Sequence, residues 1–316
     1  MTSLELNNPF AIPNRVSFIS GPNNLPFIQI TNDSATALIS LHGAQLLSYR
    51  PHHQVEDMLF VSEKSFYEDN KAIRGGIPVC WPWFGPDPKG LQRPNHGFVR
   101  NHLWSVIGAE STDNVTKITL QFTQNHKHET TWKRPFNLNL EFIVADTLTL
   151  NLTTYNTGDT AFSITQAFHT YFKVADIEKI RILGLENCLY FDKLDQGKEK
   201  IQTGTVNISE ETDRIYEDVD SHVVLVDPAA QRTIEIVSQQ CKTGVVWNPW
   251  QKPMLDLQME DYRHFVCVET GNVAFDLITI PAGDKVSLST TFKISPLAQA
   301  NKMAACKDSQ DMPCAC

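Results

Sequence analysis

Two residues in this sequence stand where a proton could be moved. His169 lies inside Ile164-Thr165-Gln166-Ala167-Phe168-His169-Thr170-Tyr171-Phe172, a strand-like run rich in aromatic residues. An imidazole in apolar surroundings must be hydrogen-bonded or used, because an unpartnered buried polar ring costs free energy. Glu269 ends the apolar run Phe265-Val266-Cys267-Val268, just before Thr270-Gly271-Asn272. A carboxylate at the mouth of a sheet, drawn partly out of water, has its pKa raised toward the range useful to a general base. Together the two supply the acid and base of a redox-neutral proton transfer, provided the fold brings them into range. The ordinary alternatives are a satisfied core histidine and a solvated strand-end carboxylate. Asp213, in Glu211-Thr212-Asp213-Arg214-Ile215-Tyr216, competes as the base or as a ligand-orienting carboxylate.

Two further segments suit an anion. In Ile73-Arg74-Gly75-Gly76-Ile77-Pro78-Val79-Cys80-Trp81-Pro82-Trp83-Phe84-Gly85-Pro86 an arginine precedes two glycines and a rigid aromatic run. Glycine permits close backbone approach to a ligand, proline fixes the chain, and arginine offers a planar fork to anionic oxygens. Pro94-Asn95-His96-Gly97-Phe98-Val99-Arg100-Asn101 again sets a His and an Arg beside a Gly. Arg74 and Arg100 facing one pocket would clamp a phosphate through charge-assisted bonds. The plain reading is a proline-broken strand at a sheet rim with surface arginines, and His96 reads as a structural or ligand-contacting residue rather than the proton carrier. Val246-Trp247-Asn248-Pro249-Trp250 offers aromatic surface that stacks on sugar faces or packs in a core.

Composition narrows the classes. The 316 residues are 41% hydrophobic and 20% charged, which is globular rather than disordered. The 27 Lys and Arg against 36 Asp and Glu leave a formal charge of -9, a field that repels polyanions, so no nucleic-acid partner is expected. A small phosphorylated ligand held by converging arginines remains compatible with that field at short range. No run of about 18 apolar residues occurs, so no membrane association is expected. No basic-then-apolar leader opens the chain either, and we read it as soluble, unexported and cytoplasmic. The seven cysteines are scattered, and Cys80, Cys188, Cys241 and Cys267 lie in apolar stretches as free thiols do. Phosphate-loop, zinc-protease, nucleophile-elbow and dinucleotide-binding signatures are missing, and His52-His53 and His126-x-His128 read as solvated loops. No metal or cofactor is expected.

The elements that must position these residues are strands. Ile118, Leu120 and Phe122; Leu138, Leu140 and Phe142; Leu148, Leu150 and Leu152; and Val286, Leu288, Phe292 and Ile294 alternate with polar neighbours, the period of a half-buried strand. Turn-forming clusters at Asn23-Asn24, Asn156-Thr157-Gly158-Asp159 and Pro281-Ala282-Gly283-Asp284 separate them. Helical periodicity is confined to Glu63 to Ala72, which predicts one short helix. The expectation is an all-β fold, a large antiparallel β-sandwich in one domain over residues 10–297, followed by a polar, cysteine-containing, disordered tail over 298–316.

Taken in order, Ile73-Arg74-Gly75-Gly76-Ile77-Pro78, His96-Gly97-Phe98-Val99-Arg100, Phe168-His169-Thr170-Tyr171-Phe172, Trp247-Asn248-Pro249 and Cys267-Val268-Glu269 resemble the glucose-6-phosphate 1-epimerase family. That family is the hexose-phosphate mutarotase branch of the aldose 1-epimerase superfamily, and the similarity runs from about Leu41 to Ile294. The resemblance implies a galactose mutarotase-like supersandwich and an isomerase acting on hexose 6-phosphates without a cofactor. It implies His169 as general acid, Glu269 as general base, Arg74 and Arg100 as sugar-phosphate contacts, and His96 and Asp213 as residues lining the sugar site. His169 and Glu269 would then meet across one sugar, in a protein taken as a monomer. Rival expectations are a mutarotase for unphosphorylated aldoses and a non-catalytic sugar-binding module on the same fold.

Overall fold

Strand after strand buries every second side chain, and the whole architecture follows from that alternation. The computed structural model describes residues 8–123 and 132–297. Two eight-stranded antiparallel sheets dominate. One has the order Arg181–Leu183, His222–Asp227, Arg232–Gln239, Lys285–Pro296, Thr147–Asn156, Phe136–Val144, Thr116–Thr123, Ser105–Ser111. Leu138, Leu140, Phe142, Leu148, Leu150, Leu152, Leu288 and Phe292 all point from it into the core, as the period of two predicted.

The other sheet runs Lys198–Ile201, Leu189–Asp192, Thr212–Tyr216, Thr243–Asn248, Phe265–Asn272, Gln166–Phe168, Val79–Cys80, with Tyr171–Lys173 also paired to Phe265–Asn272. The sheets lie face to face: Phe172 meets Phe292 edge-on at 5.7 Å, Trp81 meets Phe136 at 4.3 Å, and the hydroxyls of Thr270 and Thr290 are 2.7 Å apart. One continuous core draws residues from Val16 to Ile294. A four-stranded sheet of Val16–Ser20, Pro26–Thr31, Ala35–Ser40 and Gln45–Pro51 adds to it. The all-β sandwich expectation is met. Every residue of Phe265–Asn272 is buried, so this central strand is covered on its outer face too, and there the candidate site lies.

The turn clusters behave as their chemistry predicts. Asn156 accepts the Gly158 N–H at 3.0 Å and donates to the carbonyls of Thr160, Ile280 and Pro281, tying two turns together. The helix expected over Glu63 to Ala72 does not form. Ser62 bonds the Lys64 N–H, Ser65 bonds both N–H and carbonyl of Arg74, and Asn70 takes a φ of 64°. Side-chain hydrogen bonds to nearby backbone compete with the helical ladder, and here they win. Among the described residues no helix is long and apolar enough to cross a membrane. His126, His128, Cys306, Cys314, Cys316 and the tail over 298–316 lie outside the described residues.

Candidate active site

The strand Phe265–Asn272 pairs with Gln166–Phe168 and then with Tyr171–Lys173 in one unbroken register: Phe168 faces Thr270, and Tyr171 faces Cys267. His169, in the gap between the two short strands, therefore falls opposite Glu269. The His169 N–H turns away to the Pro78 carbonyl at 3.0 Å, while the Val268 N–H reaches the Thr170 carbonyl at 3.3 Å. Facing residues that exchange no backbone bond come closest with their side chains. His169 Nδ1 lies 3.4 Å from Glu269 Oε1. The two residues are only 7% and 2% exposed, and both Nδ1 of His169 and Oε2 of Glu269 lack a hydrogen-bond partner. They stand side by side on one face, not on two sides of a ligand-sized gap as the sequence reading had it, because facing strand positions share a face.

Burial drives the electrostatics of this pair. Glu269 has its pKa pushed well above the ordinary carboxylate value by desolvation, and Asp213 adds to that while Lys193 and Arg100 oppose it. His169 is pushed well below its ordinary value by desolvation, with His96, Arg100 and Arg74 adding to it. Burial thus pushes both groups toward their uncharged forms.

An aromatic cage fixes the imidazole. Tyr171 stacks on His169 nearly in parallel, at 4.9 Å and 9°, and Trp247 and His96 meet it edge-on at 5.9 and 5.4 Å. His96 is held by Phe84 at 4.6 Å, and its Nδ1 faces the Gly85 N–H at 3.4 Å. Desolvation, then Arg100, Lys193 and Arg74, push the His96 pKa down to about 2, so the ring is neutral and carries its proton on Nε2. Gly97 makes this placement possible: with φ at 76°, a Cβ there would lie 1.7 Å from the Trp81 carbonyl oxygen. The Trp81–Pro82 peptide bond is cis. Trp81 and Trp83 are buried, so of this aromatic run Phe84 is the ring that touches the site through His96.

The two arginines have different surroundings. Arg74 donates Nε to Asp256 at 2.9 Å, its Nη2 lies 2.9 Å from the same carboxylate, and Nη1 donates to the Tyr171 hydroxyl at 2.8 Å. Burial would weaken its charge, but Tyr171 and Asp256 outweigh that and its pKa is raised. Gly75 and Gly76 serve chain packing rather than ligand approach, since a Cβ on them would meet the Phe60 and Leu46 carbonyl oxygens at 2.3 and 2.2 Å. Arg100, in the turn Val99–Asn101, donates Nη2 to the Asn95 carbonyl at 3.0 Å. Its Nε is buried without a partner, and among the described residues no carboxylate is within ion-pair distance of it.

Asp213 and Trp247 are register partners on neighbouring strands, and both line a cleft of about 460 Å³ with Phe66, Met254 and Asp256. Lys193 lies 3.1 Å from Asp213, and desolvation raises the Asp213 pKa against that partner. Trp247 links this wall to the pair, its ring meeting that of His169 at 5.9 Å. All six residues singled out in the sequence thus gather around one region. Asp256 and Lys193 are additions that sequence reasoning missed. Pro253-Met254-Leu255-Asp256 and Asp192-Lys193-Leu194-Asp195 read as charged loop, with no signal that sets them apart. Among the described residues no group of three or more His, Cys, Asp and Glu is placed to hold a metal ion.

The arrangement sets a buried imidazole and a buried carboxyl group side by side, with Arg74, Arg100 and Lys193 around them. The family model described as aldose 1-epimerase matches residues 26–293. A protein of Escherichia coli K12 named "Putative glucose-6-phosphate 1-epimerase" is 35% identical over 255 residues, covering 78% of this chain and 83% of that one. A protein of Cenchrus ciliaris with the same name is 30% identical over 295 residues, covering 89% and 87%. A crystal structure titled as a "putative mutarotase" of Salmonella typhimurium superposes with a TM-score of 0.85 at 29% identity, covering 90% of this chain and 95% of that one.

Proposed function

The chain belongs to the aldose 1-epimerase family of isomerases, and from that premise we propose that it interconverts the α and β anomers of glucose 6-phosphate. The observation that carries the chemistry is the buried pair His169 and Glu269, 3.4 Å apart, each with an unmet hydrogen-bonding atom. Anomer exchange needs an acid and a base next to one another, because the anomeric and ring oxygens hang on the same carbon.

In ring opening Glu269 takes the proton of the anomeric hydroxyl, the C1–O5 bond breaks as the C1 carbonyl forms, and His169 as imidazolium protonates O5. Rotation about C1–C2 presents the other carbonyl face. In closure O5 attacks C1, His169 recovers its proton and Glu269 returns one to the carbonyl oxygen. The pKa directions favour this division: a carboxylate with raised pKa is a stronger base, and an imidazolium with lowered pKa a stronger acid. Opening leaves both groups uncharged, the direction in which burial pushes each of them. Concerted assistance of roughly 10² to 10⁴-fold from each residue accounts for much of a modest barrier reduction.

Arg100 supplies an uncommitted positive charge for the phosphate, His96 offers its Nε2–H, and Asp213 and Trp247 receive the sugar hydroxyls and ring face. The phosphate is remote from the bond that changes, so its contacts orient the substrate. The reading places a monomeric enzyme in the cytoplasm, where buried thiols such as Cys80 and Cys267 stay reduced. One observation favours an unphosphorylated sugar instead: Arg74, Lys193 and Lys252 are each already met by a carboxylate. Exchange NMR of the anomers of glucose 6-phosphate and of glucose decides. Faster exchange of the phosphorylated sugar is expected, and equal or greater efficiency on glucose overturns the assignment.

A further inference from the structure

Three cations around the cleft are committed to carboxylates, but to different degrees. Arg74 engages Asp256 and Tyr171 through all three of its nitrogens. Lys252 meets Glu211 at 3.0 Å with its side chain 61% exposed, on the outer rim. Lys193 meets only one oxygen of Asp213, at 3.1 Å, and its side chain is 40% exposed against 21% for Asp213. A single-point pair between a flexible, hydrated ammonium and a carboxylate at such exposure is weak and exchanges readily. Lys193 also stands close to the chemistry, since its charge, like that of Arg100, acts on both His96 and Glu269.

A sugar phosphate carries close to two negative charges above its second pKa of about 6. Arg100 offers one uncommitted positive charge, and among the three paired cations Lys193, held by a single 3.1 Å contact at a half-exposed position, is the one released at little cost. We infer that Lys193 reads the phosphate: when a phosphorylated sugar binds, its ammonium passes from Asp213 to the phosphate, and Asp213 is freed to accept sugar hydroxyls. This rests on the hexose-phosphate reading above. A neutral sugar has no anion to draw Lys193 away, so its hydroxyls compete with the ammonium for Asp213. Ion-pair exchange thereby reconciles a cleft of paired charges with a dianionic substrate, and makes phosphate binding a condition for full engagement of the sugar ring.

The test is steady-state anomer exchange on glucose 6-phosphate and glucose with the wild-type protein, Lys193→Met and Lys193→Arg. Thermal melting serves as a fold check that this exposed position should pass. In Lys193→Met the preference for the phosphorylated sugar, as the ratio of the two kcat/KM values, should fall about tenfold or more, the loss of one charge-assisted hydrogen bond. The fall should come mainly from a raised KM for glucose 6-phosphate, with a gain on glucose because Asp213 has lost its competitor. Lys193→Arg should keep most of the preference. Equal losses on both sugars, or a ratio changed less than threefold, would overturn the inference while leaving the hexose-phosphate reading intact. A wild-type protein without preference for glucose 6-phosphate would overturn both.

Discussion

Arg74 and Asp256 are joined through a single oxygen: Oδ2 lies 2.9 Å from both Nε and Nη2, and the remaining nitrogen of the guanidinium reaches the Tyr171 hydroxyl. Tyr171 in turn stacks on His169. The arginine therefore braces the ring that stacks on the proposed acid, and its charge is met by Asp256.

From this bracing, Arg74→Ala should lower kcat on glucose 6-phosphate and on glucose by similar factors, about tenfold or more, as the catalytic imidazole loses its support. Arg100→Ala should instead raise KM for the phosphorylated sugar alone. Parallel kinetics on the two sugars checks both. A loss in Arg74→Ala confined to the phosphorylated substrate would make Arg74 a phosphate ligand after all.

His169→Ala and Glu269→Gln should each reduce kcat by about 10² to 10⁴-fold while leaving sugar-phosphate binding nearly intact, because each removes a proton carrier and not an anion contact. Saturation-transfer NMR gives the rate and calorimetric titration the affinity. Turnover within tenfold of wild type in either variant would remove that residue from the mechanism.

The Glu269 proton has a signature in stability. Above the ordinary carboxylate pKa the unfolded chain has released this proton while the folded protein keeps it, so the group's contribution to stability is present at low pH and lost as pH rises toward the raised folded value. His169, with a lowered pKa, acts oppositely, and its contribution is fully in place only above the ordinary histidine value. Above pH 6.5 His169 opposes the Glu269 slope less and less. The slopes of other raised groups such as Asp213 and Cys80 cancel when a Glu269 variant is compared with wild type, so that comparison isolates the Glu269 slope. Glu269→Gln abolishes it, so the variant's melting temperature relative to wild type should climb as pH is raised from 6.5 to 8.5, about two pH units. A constant difference over that range would mean that the carboxyl group is ionised in the folded protein.

Gly97→Ala tests the turn that carries His96 and Arg100. A Cβ 1.7 Å from the Trp81 carbonyl oxygen, on a residue with φ of 76°, has no room unless two backbone segments part. A loss of at least about 2 kcal/mol in denaturant unfolding is expected, together with a raised KM. Wild-type stability would show that the two segments are free to separate.

Much of this was legible from composition and period. A polar residue stranded in an apolar run, as at His169 and Glu269, stands out because burial without purpose is costly. Alternation in Leu138 to Phe142 and Leu148 to Leu152 gave the sandwich for the same reason. Lys193 and Asp256 were invisible, because a charged residue in a charged loop looks the same whether it meets water or a cleft. Gly75 and Gly76 read equally as ligand-facing or structural, since close approach to the chain's own backbone and to a substrate make the same demand on a residue, and the structure shows the first. The Glu63 to Ala72 helix failed on side-chain bonds from Ser62 and Ser65, which act locally but depend on where Arg74 lies.

In the proposed mechanism, the alignment of His169 with Glu269 makes activity a matter of counting peptide units. Along a pleated ribbon successive side chains alternate between its two surfaces. One residue added or removed between Phe168 and Tyr171 would swing the imidazole to the reverse surface, away from the carboxyl group, with hydrophobic content and net charge untouched. Surface turns elsewhere can lengthen or shorten freely. Across these few positions the proposed mechanism turns the exact number of amino acids into a constraint.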